Sequence, residues 1–185
     1  SLVLYSSGTT GKPKGTVHTH IGPLIECTKD VRYHFDTKDD DVFFWVTDIG
    51  WMMGPWMLIG VLNLAGTVVL FEGAFDYPRP DRLWKILDDF KVTVFGISPT
   101  LVRLLMKYGD QHLASHDLSS LRVLGSTGEP WDPESWTWFF EKIGGSRCPI
   151  INISGGTELI APHLTPSPLS PLKPCTVGGP GLGMD

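Results

Sequence analysis

Short apolar runs alternate with longer stretches of helical periodicity along this chain, and that alternation is the strongest constraint on its fold. The runs Leu2–Tyr5, Asp41–Val46, Thr67–Phe71, Val92–Gly96, Val123–Gly125 and Pro149–Asn152 have strand length. The stretches between them predict helices over His18–Tyr33, Gly50–Leu64, Arg79–Phe90, Pro99–Tyr108 and Pro133–Ile143. In Arg79–Phe90 the residues Leu83, Ile86, Leu87 and Phe90 follow i, i+3, i+4, i+7 spacing, an amphipathic stripe. Gly50–Leu64 is apolar nearly all round and is expected to be buried. Asp132 stands where an N-cap belongs, with Pro133 at the first helical position. Strand–helix–strand order predicts an α/β fold with a mainly parallel sheet flanked by helices.

Ligands of such sheets gather beyond the carboxyl ends of the strands. Five polar loops follow strands: Ser6–Gly15, Thr47–Gly54, Ser98–Pro99, Ser126–Pro130 and Ile153–Glu158. They are expected to converge on one site. The first is the densest. Tyr5–Gly15, YSSGTTGKPKG, holds three Gly, two Lys, two Ser, two Thr and a Pro. A Walker loop would need Gly at position 6 and Ser or Thr at position 13, and the chain has Ser6 and Pro13. Pro13 also disfavours helix at Lys12. The chemistry still suits phosphate: glycines free backbone N–H groups to turn inward, hydroxyls donate, and Lys12 and Lys14 bring charge. A mobile polar loop has the same composition. Its expected place, directly after a strand and before a helix, favours phosphate.

A net charge of −5 and the lack of a basic block argue against nucleic acid. No apolar run approaches the roughly 18 residues of a membrane span. Three distant cysteines, Cys27, Cys148 and Cys175, suit a reduced cytoplasmic protein better than a disulfide framework. Cys148 reads as small and buried. Asp39–Asp41 reads as a solvated turn, and the six prolines between 162 and 180 as a surface loop. His18 and His20 lack the Cys or Asp partners of a metal site. The start at Ser1 and the glycine-rich end TVGGPGLGMD read as a piece of a longer chain.

YSSGTTGKPKG resembles the signature loop of the AMP-forming acyl-adenylate enzymes, which include acyl-CoA synthetases and peptide-synthetase adenylation domains. DIGWMMG (Asp48–Gly54), LGSTGEPWDPESW (Leu124–Trp136), SGGTE (Ser154–Glu158) and LFEGAFDYPRPDRLW (Leu70–Trp84) resemble the acetyl-CoA synthetase branch. The resemblance implies that the chain is part of the large N-terminal AMP-binding domain, without the C-terminal lid. It implies a two-step reaction: a carboxylic acid attacks ATP to give acyl-adenylate and pyrophosphate, then coenzyme A displaces AMP. By position, Ser6, Ser7, Gly8, Thr9, Thr10, Gly11, Lys12 and Lys14 would hold the β- and γ-phosphates. Gly128, Glu129 and Pro130 would lie against adenine and ribose, with Asn152 at the adenine-contacting position and Gly156 beside the nucleotide. Thr157 would contact the α-phosphate and Glu158 would help bind Mg²⁺, the two forming the catalytic pair. Trp51, Met52, Met53, Thr127 and Gly155 would line the acyl pocket, and Ser98 lies where the family's coenzyme A tunnel passes. His18 matches the family's structural histidine after the loop.

Acetyl-CoA synthetases have Trp-Trp-Gln-Thr-Glu where this chain has Ser154–Glu158, and their second Trp closes the acyl pocket around acetate. Gly155 in its place implies a deeper pocket and an acid larger than acetate: a short or medium acid, a branched one, or acetoacetate. Refilling by Met52, Met53 or Trp56 is the alternative. Two other functions stay open: an adenylation domain that passes its acyl group to a carrier protein, and a non-catalytic nucleotide-binding module. The piece by itself is not expected to turn over.

Overall fold

A computed structural model describes residues 2–6 and 11–184. The elements run β1 (Leu2–Ser6), β2 (Lys14–His18), α1 (Ile21–Tyr33), β3 (Val42–Trp45), α2 (Met53–Asn63), β4 (Thr67–Val69) and α3 (Arg82–Asp89). There follow β5 (Val94–Gly96), α4 (Pro99–Met106), β6 (Val123–Thr127), α5 (Pro133–Trp138), β7 (Ile150–Gly156), β8 (Ala161–Thr165) and β9 (Gly179–Pro180). The main sheet has the order β4-β3-β5-β6-β7-β8-β9. Its pairs from β4 to β7 are parallel, and β8 and β9 add an antiparallel edge.

Side-chain alternation along the strands splits the core into two layers. Phe44, Phe95, Leu124 and Ile150 face a layer with Leu83, Leu87, Val102, Leu105 and Phe139 from the α3–α5 side. Phe43, Trp45, Val94, Val123 and Ile151 face the other, with Cys27 and Val31 of α1 and Trp56, Met57 and Val61 of α2. In that second layer Phe35, Phe43, Trp45 and Trp56 form an aromatic cluster with edge-to-face pairs 5.5–6.1 Å between centroids. Trp45 fits because its register partners are glycines: Trp45 pairs Gly96, and Gly96 pairs Gly125. A Cβ on Gly96 would stand 2.0 Å from the indole, and one on Gly125 2.6 Å. Two strand glycines thus make room for one large ring.

Several sequence expectations need correction. The opening run is not followed by a helix. β1 and β2 pair antiparallel as a separate two-stranded sheet, in register from Leu2↔His18 to Ser6↔Lys14, and α1 starts at Ile21. His18 is therefore a strand residue. Residues Ser154–Gly156, expected in a loop, extend β7, because β8 pairs with them across a register shift at Ser154/Gly155. The proline-bearing tail supplies β8 and the edge strand β9; Pro162 stands in β8 beside the register shift and ahead of its β9 pairing at Leu164, and Pro180 lies on the edge, places where proline is tolerated. The predicted Pro133–Ile143 helix closes with a π-helical turn over Phe139–Ile143. Asp41 is not solvated. It is 3% exposed and accepts from Arg122 Nε at 2.7 Å and Thr93 Oγ1 at 2.6 Å. Burial alone would raise its carboxyl, but these bonds outweigh burial and hold it below its usual range.

Candidate functional site

Beyond the carboxyl ends of β3, β5, β6 and β7 lies a cleft of about 770 Å³. Each wall is positioned by a strand end. β3 leads into Thr47 and Asp48, followed by Trp51, Met52 and Met53 at the start of α2. β5 leads to Ser98, whose Oγ accepts from Leu101 N at 3.3 Å and caps α4. β6 ends in Thr127, followed by Gly128 and Glu129, and β7 ends in Gly155 and Gly156, followed by Thr157 and Glu158. Four of the five expected loops therefore meet. Among the described residues of the opening loop, Ser6, Gly11, Lys12 and Lys14 do not line this cleft. Ser7, Gly8, Thr9 and Thr10 lie outside the described residues.

A second depression of about 580 Å³ shares Thr127, Gly128, Glu129 and Gly155 with the first. It gathers Pro130 and Asn152 on the side expected for adenine. Asn152 is 3% exposed, and its Nδ2 donates to Thr176 O at 3.2 Å. Cys175–Gly178 completes this depression. That segment is not among the residues expected at the site, and its glycine-rich stretch is the signal that could have pointed to it.

Polar groups fix the rim between the two depressions. Thr127 Oγ1 donates to Ile153 O at 2.8 Å and joins the ends of β6 and β7. Glu129 accepts from Thr100 Oγ1 at 2.5 Å and from Arg103 Nη2 at 2.8 Å. The Thr100 bond is the main reason its carboxyl lies below the usual range, with Arg103 adding to it. Gly128 has φ +103, a backbone state that favours glycine. Trp51 is 71% exposed, so it belongs to the cleft and not to the core. Met53, on the same cleft, is buried.

Gly155 is glycine for a reason the sequence did not suggest. A Cβ there would stand 2.3 Å from the Ala161 carbonyl oxygen and 2.9 Å from Pro162 Cα. On this backbone an indole at 155 would meet β8, so its absence opens no void behind Gly155. Glu158 is exposed, and its Oε2 lies 3.3 Å from where a Cβ of Gly156 would be. An exposed carboxylate on the wall of the cleft is a donor of the kind that Mg²⁺ takes, one or two carboxylates plus substrate phosphates. Among the described residues no group of three or more His, Cys, Asp or Glu could hold a metal by itself. No helix among them is long and apolar enough to cross a membrane.

Comparison with known proteins identifies the setting of this cleft. An acetyl-coenzyme A synthetase of Gemmatimonas aurantiaca is 46% identical over 185 residues, covering 98% of this chain and 28% of the relative. The chloroplastic/glyoxysomal acetyl-coenzyme A synthetase of Arabidopsis thaliana is 45% identical, covering 99% of this chain and 25% of the relative. The solved acetoacetyl-CoA synthetase of Streptomyces lividans superposes with a TM-score of 0.90 at 34% identity, over 98% of this chain and 28% of that one. The chain thus spans 28% of the length of the first of these relatives. The family model described as AMP-binding enzyme matches residues 1–185, and the chain belongs to that family.

Proposed function

We propose that this chain forms the nucleotide- and acyl-binding part of an AMP-forming acid–CoA ligase, using a small carboxylic acid, ATP and coenzyme A. The supporting observation is the meeting of Thr127–Glu129 and Gly156–Glu158 with Trp51–Met53 in one cleft. Glu129 and Asn152 would flank the nucleoside, and Thr157 would face the α-phosphate. The acyl group would sit against Trp51 and Met53. No general base is needed, since a carboxylic acid is already ionised at neutral pH. Attack at phosphorus builds charge on non-bridging oxygens, and donors aimed there lower the barrier. Mg²⁺ held by Glu158 would neutralise phosphate charge when bound.

The acid is larger than acetate. Support for this comes from the cleft of about 770 Å³, whose β6–β7 side is walled by Thr127, Gly128 and Gly156; Gly155, which β8 packs against, is not itself the support. The acid-dependent exchange of pyrophosphate into ATP, measured on the complete protein with acetate, propionate, butyrate, 3-methylbutyrate and acetoacetate, tests both levels. Exchange with one of the larger acids well above acetate is the expected result. Strict acetate preference would remove the size reading. Exchange with none of the acids would remove the ligase reading. Coenzyme A-dependent release of AMP separates a ligase from a domain that loads a carrier protein.

A further inference from the structure

We propose that His18 is a positioning residue that locks the hairpin β1–β2 to the turn carrying Thr157 and Glu158, so that the hairpin and that turn move as one. The inference rests on the adenylate-forming reading above and adds a residue to it. His18 is 9% exposed, at the base of the hairpin, on the same inward face as Leu4. Its Nε2 lies 2.9 Å from the Thr157 carbonyl oxygen, across 139 positions of sequence. A carbonyl only accepts, so Nε2 carries the hydrogen and donates.

Each end of this bond is stiff. β2 pairs with β1 at every residue from Lys14 to His18. A five-residue strand carries a displacement at one end to the other over about 13 Å. The Thr157 end is a tight turn in which Gly156 O accepts from Leu159 N at 3.1 Å and Ile160 N at 3.0 Å. Ile160 closes it at φ +54, an unfavourable state for a β-branched residue, and is held there by burial at 1% exposure. A turn under such strain keeps its geometry through its packing and its bonds to neighbours. The His18 bond reaches the main chain of Thr157 itself, adjacent to Glu158. It therefore sets where those two side chains stand relative to the strand that leaves the opening loop.

The test uses the complete protein and two substitutions. His18→Phe keeps a flat ring and removes the donor, whereas His18→Gln keeps a donor near the Nε2 position. Expected is a fall in the exchange kcat of about tenfold to a hundredfold for H18F, the scale of lost outer-layer partners in other sites. The KM for ATP should change less than threefold, because the nucleoside is held on the far wall, and H18Q should recover most of the rate. Histidine-selective ¹⁵N spectra of the unaltered protein should show His18 with hydrogen on Nε2. A kcat for H18F within twofold of the unaltered protein overturns the proposal, as does H18Q being as slow as H18F, or a bare Nε2. If H18F does not fold, H18Q decides alone: a rate below a tenth of the unaltered protein's overturns the proposal. Absence of exchange in the unaltered protein with every acid overturns the functional reading and this inference with it, a result that does not depend on residue 18.

Discussion

The β6–β7 wall of the cleft and the hairpin β1–β2, whose described residues stand outside the cleft, are built differently. On the β6–β7 side, several side chains brace the loops. Thr127 ties β6 to β7, Glu129 is held by Thr100 and Arg103 of α4, and Asp132 caps α5 through Ser135 N at 2.9 Å. The carboxylates there sit at the rim with donors around them. On the hairpin side, β1 and β2 stand apart from the main sheet; among the described residues they reach the core layer through Leu4, with Leu2 packed against it, and the β7–β8 turn through His18 on Thr157. The layer beneath the hairpin also holds a fully buried carboxylate, Asp30. On the proposed function, a braced wall would suit the part of the substrate that stays the same through the reaction, the nucleoside. A hairpin hung on fewer ties would, on the same proposed function, suit the part that leaves, the pyrophosphate.

The comparison is broken most severely at Gly155. Gly155→Ala sets a methyl 2.3 Å from a backbone oxygen of β8, and no rotamer change can relieve it. The expected cost is at least about 3 kcal/mol, the upper end for overpacking, read from urea unfolding at constant m. A cost under about 1 kcal/mol would mean that β8 yields easily. The β6–β7 wall would then be less fixed than its hydrogen bonds suggest, and the smallness of Gly155 would belong to the acyl pocket and not to the packing.

Gly155 also marks the limit of what the sequence made legible. The order of strands and helices was readable because apolar period and length are local properties, and so was the Asp132 cap, whereas the Ser98 cap was not among the expectations. The convergence of four loops followed from the sheet rule. Glycine, however, has two meanings in a chain. In Ser154–Gly156 it reads as a turn, yet here it lets two strands approach, as Gly96 and Gly125 let Trp45 lie across the sheet. Which meaning holds depends on β8, an element hidden among prolines. His18 was legible as part of a pattern but not as a strand residue, because the pairing of β1 with β2 spans the polar loop. The role of Asp41 was unreadable for a similar reason: its partner Arg122 lies 81 positions away.

Asp30 sharpens the contrast through pH. Its side chain is fully buried, with Oδ2 accepting from Trp56 Nε1 at 3.1 Å. Lys29 Nζ is 3.3 Å from Oδ1, yet Oδ1 has no partner in hydrogen-bond geometry. Burial pushes the carboxyl from 3.8 up to about 6, against the lowering effect of Trp56 and Lys29. The folded value lies above the unfolded one, so the folded state holds the proton more tightly. That stabilisation is fully present below about pH 4 and is lost as pH rises through about 6. Asp30→Asn cannot lose it. The stability of the unaltered chain relative to D30N should therefore fall between pH 4 and pH 7 by up to about 3 kcal/mol, roughly two pKa steps. Urea unfolding of both proteins across that range measures it. A difference that stays flat would place the hairpin-side layer on the same footing as the rim of the β6–β7 wall.

Arg103 offers the smallest and most selective test. It bridges Glu129 and Asp132, at 2.8 Å and 3.2 Å, and also reaches Thr100 Oγ1 at 2.8 Å. Its side chain is 37% exposed and that of Glu129 34%, so solvent screens the pair and its worth to folding is under about 1 kcal/mol. The bridge acts on position more than on stability: with Thr100 it fixes the direction of the Glu129 carboxylate on the side expected for the nucleoside. Arg103→Met keeps much of the length and removes the charge and its donors. Expected is a rise of about fivefold in the KM for ATP, the equivalent of about 1 kcal/mol, with the kcat of exchange nearly unchanged. That pattern is the opposite of the one expected for H18F, where kcat falls and KM holds. Measured side by side in the exchange assay, the two substitutions assign nucleoside binding to the braced wall and phosphate chemistry to the hung hairpin. If R103M lowers kcat and leaves KM alone, the division between wall and hairpin is drawn in the wrong place.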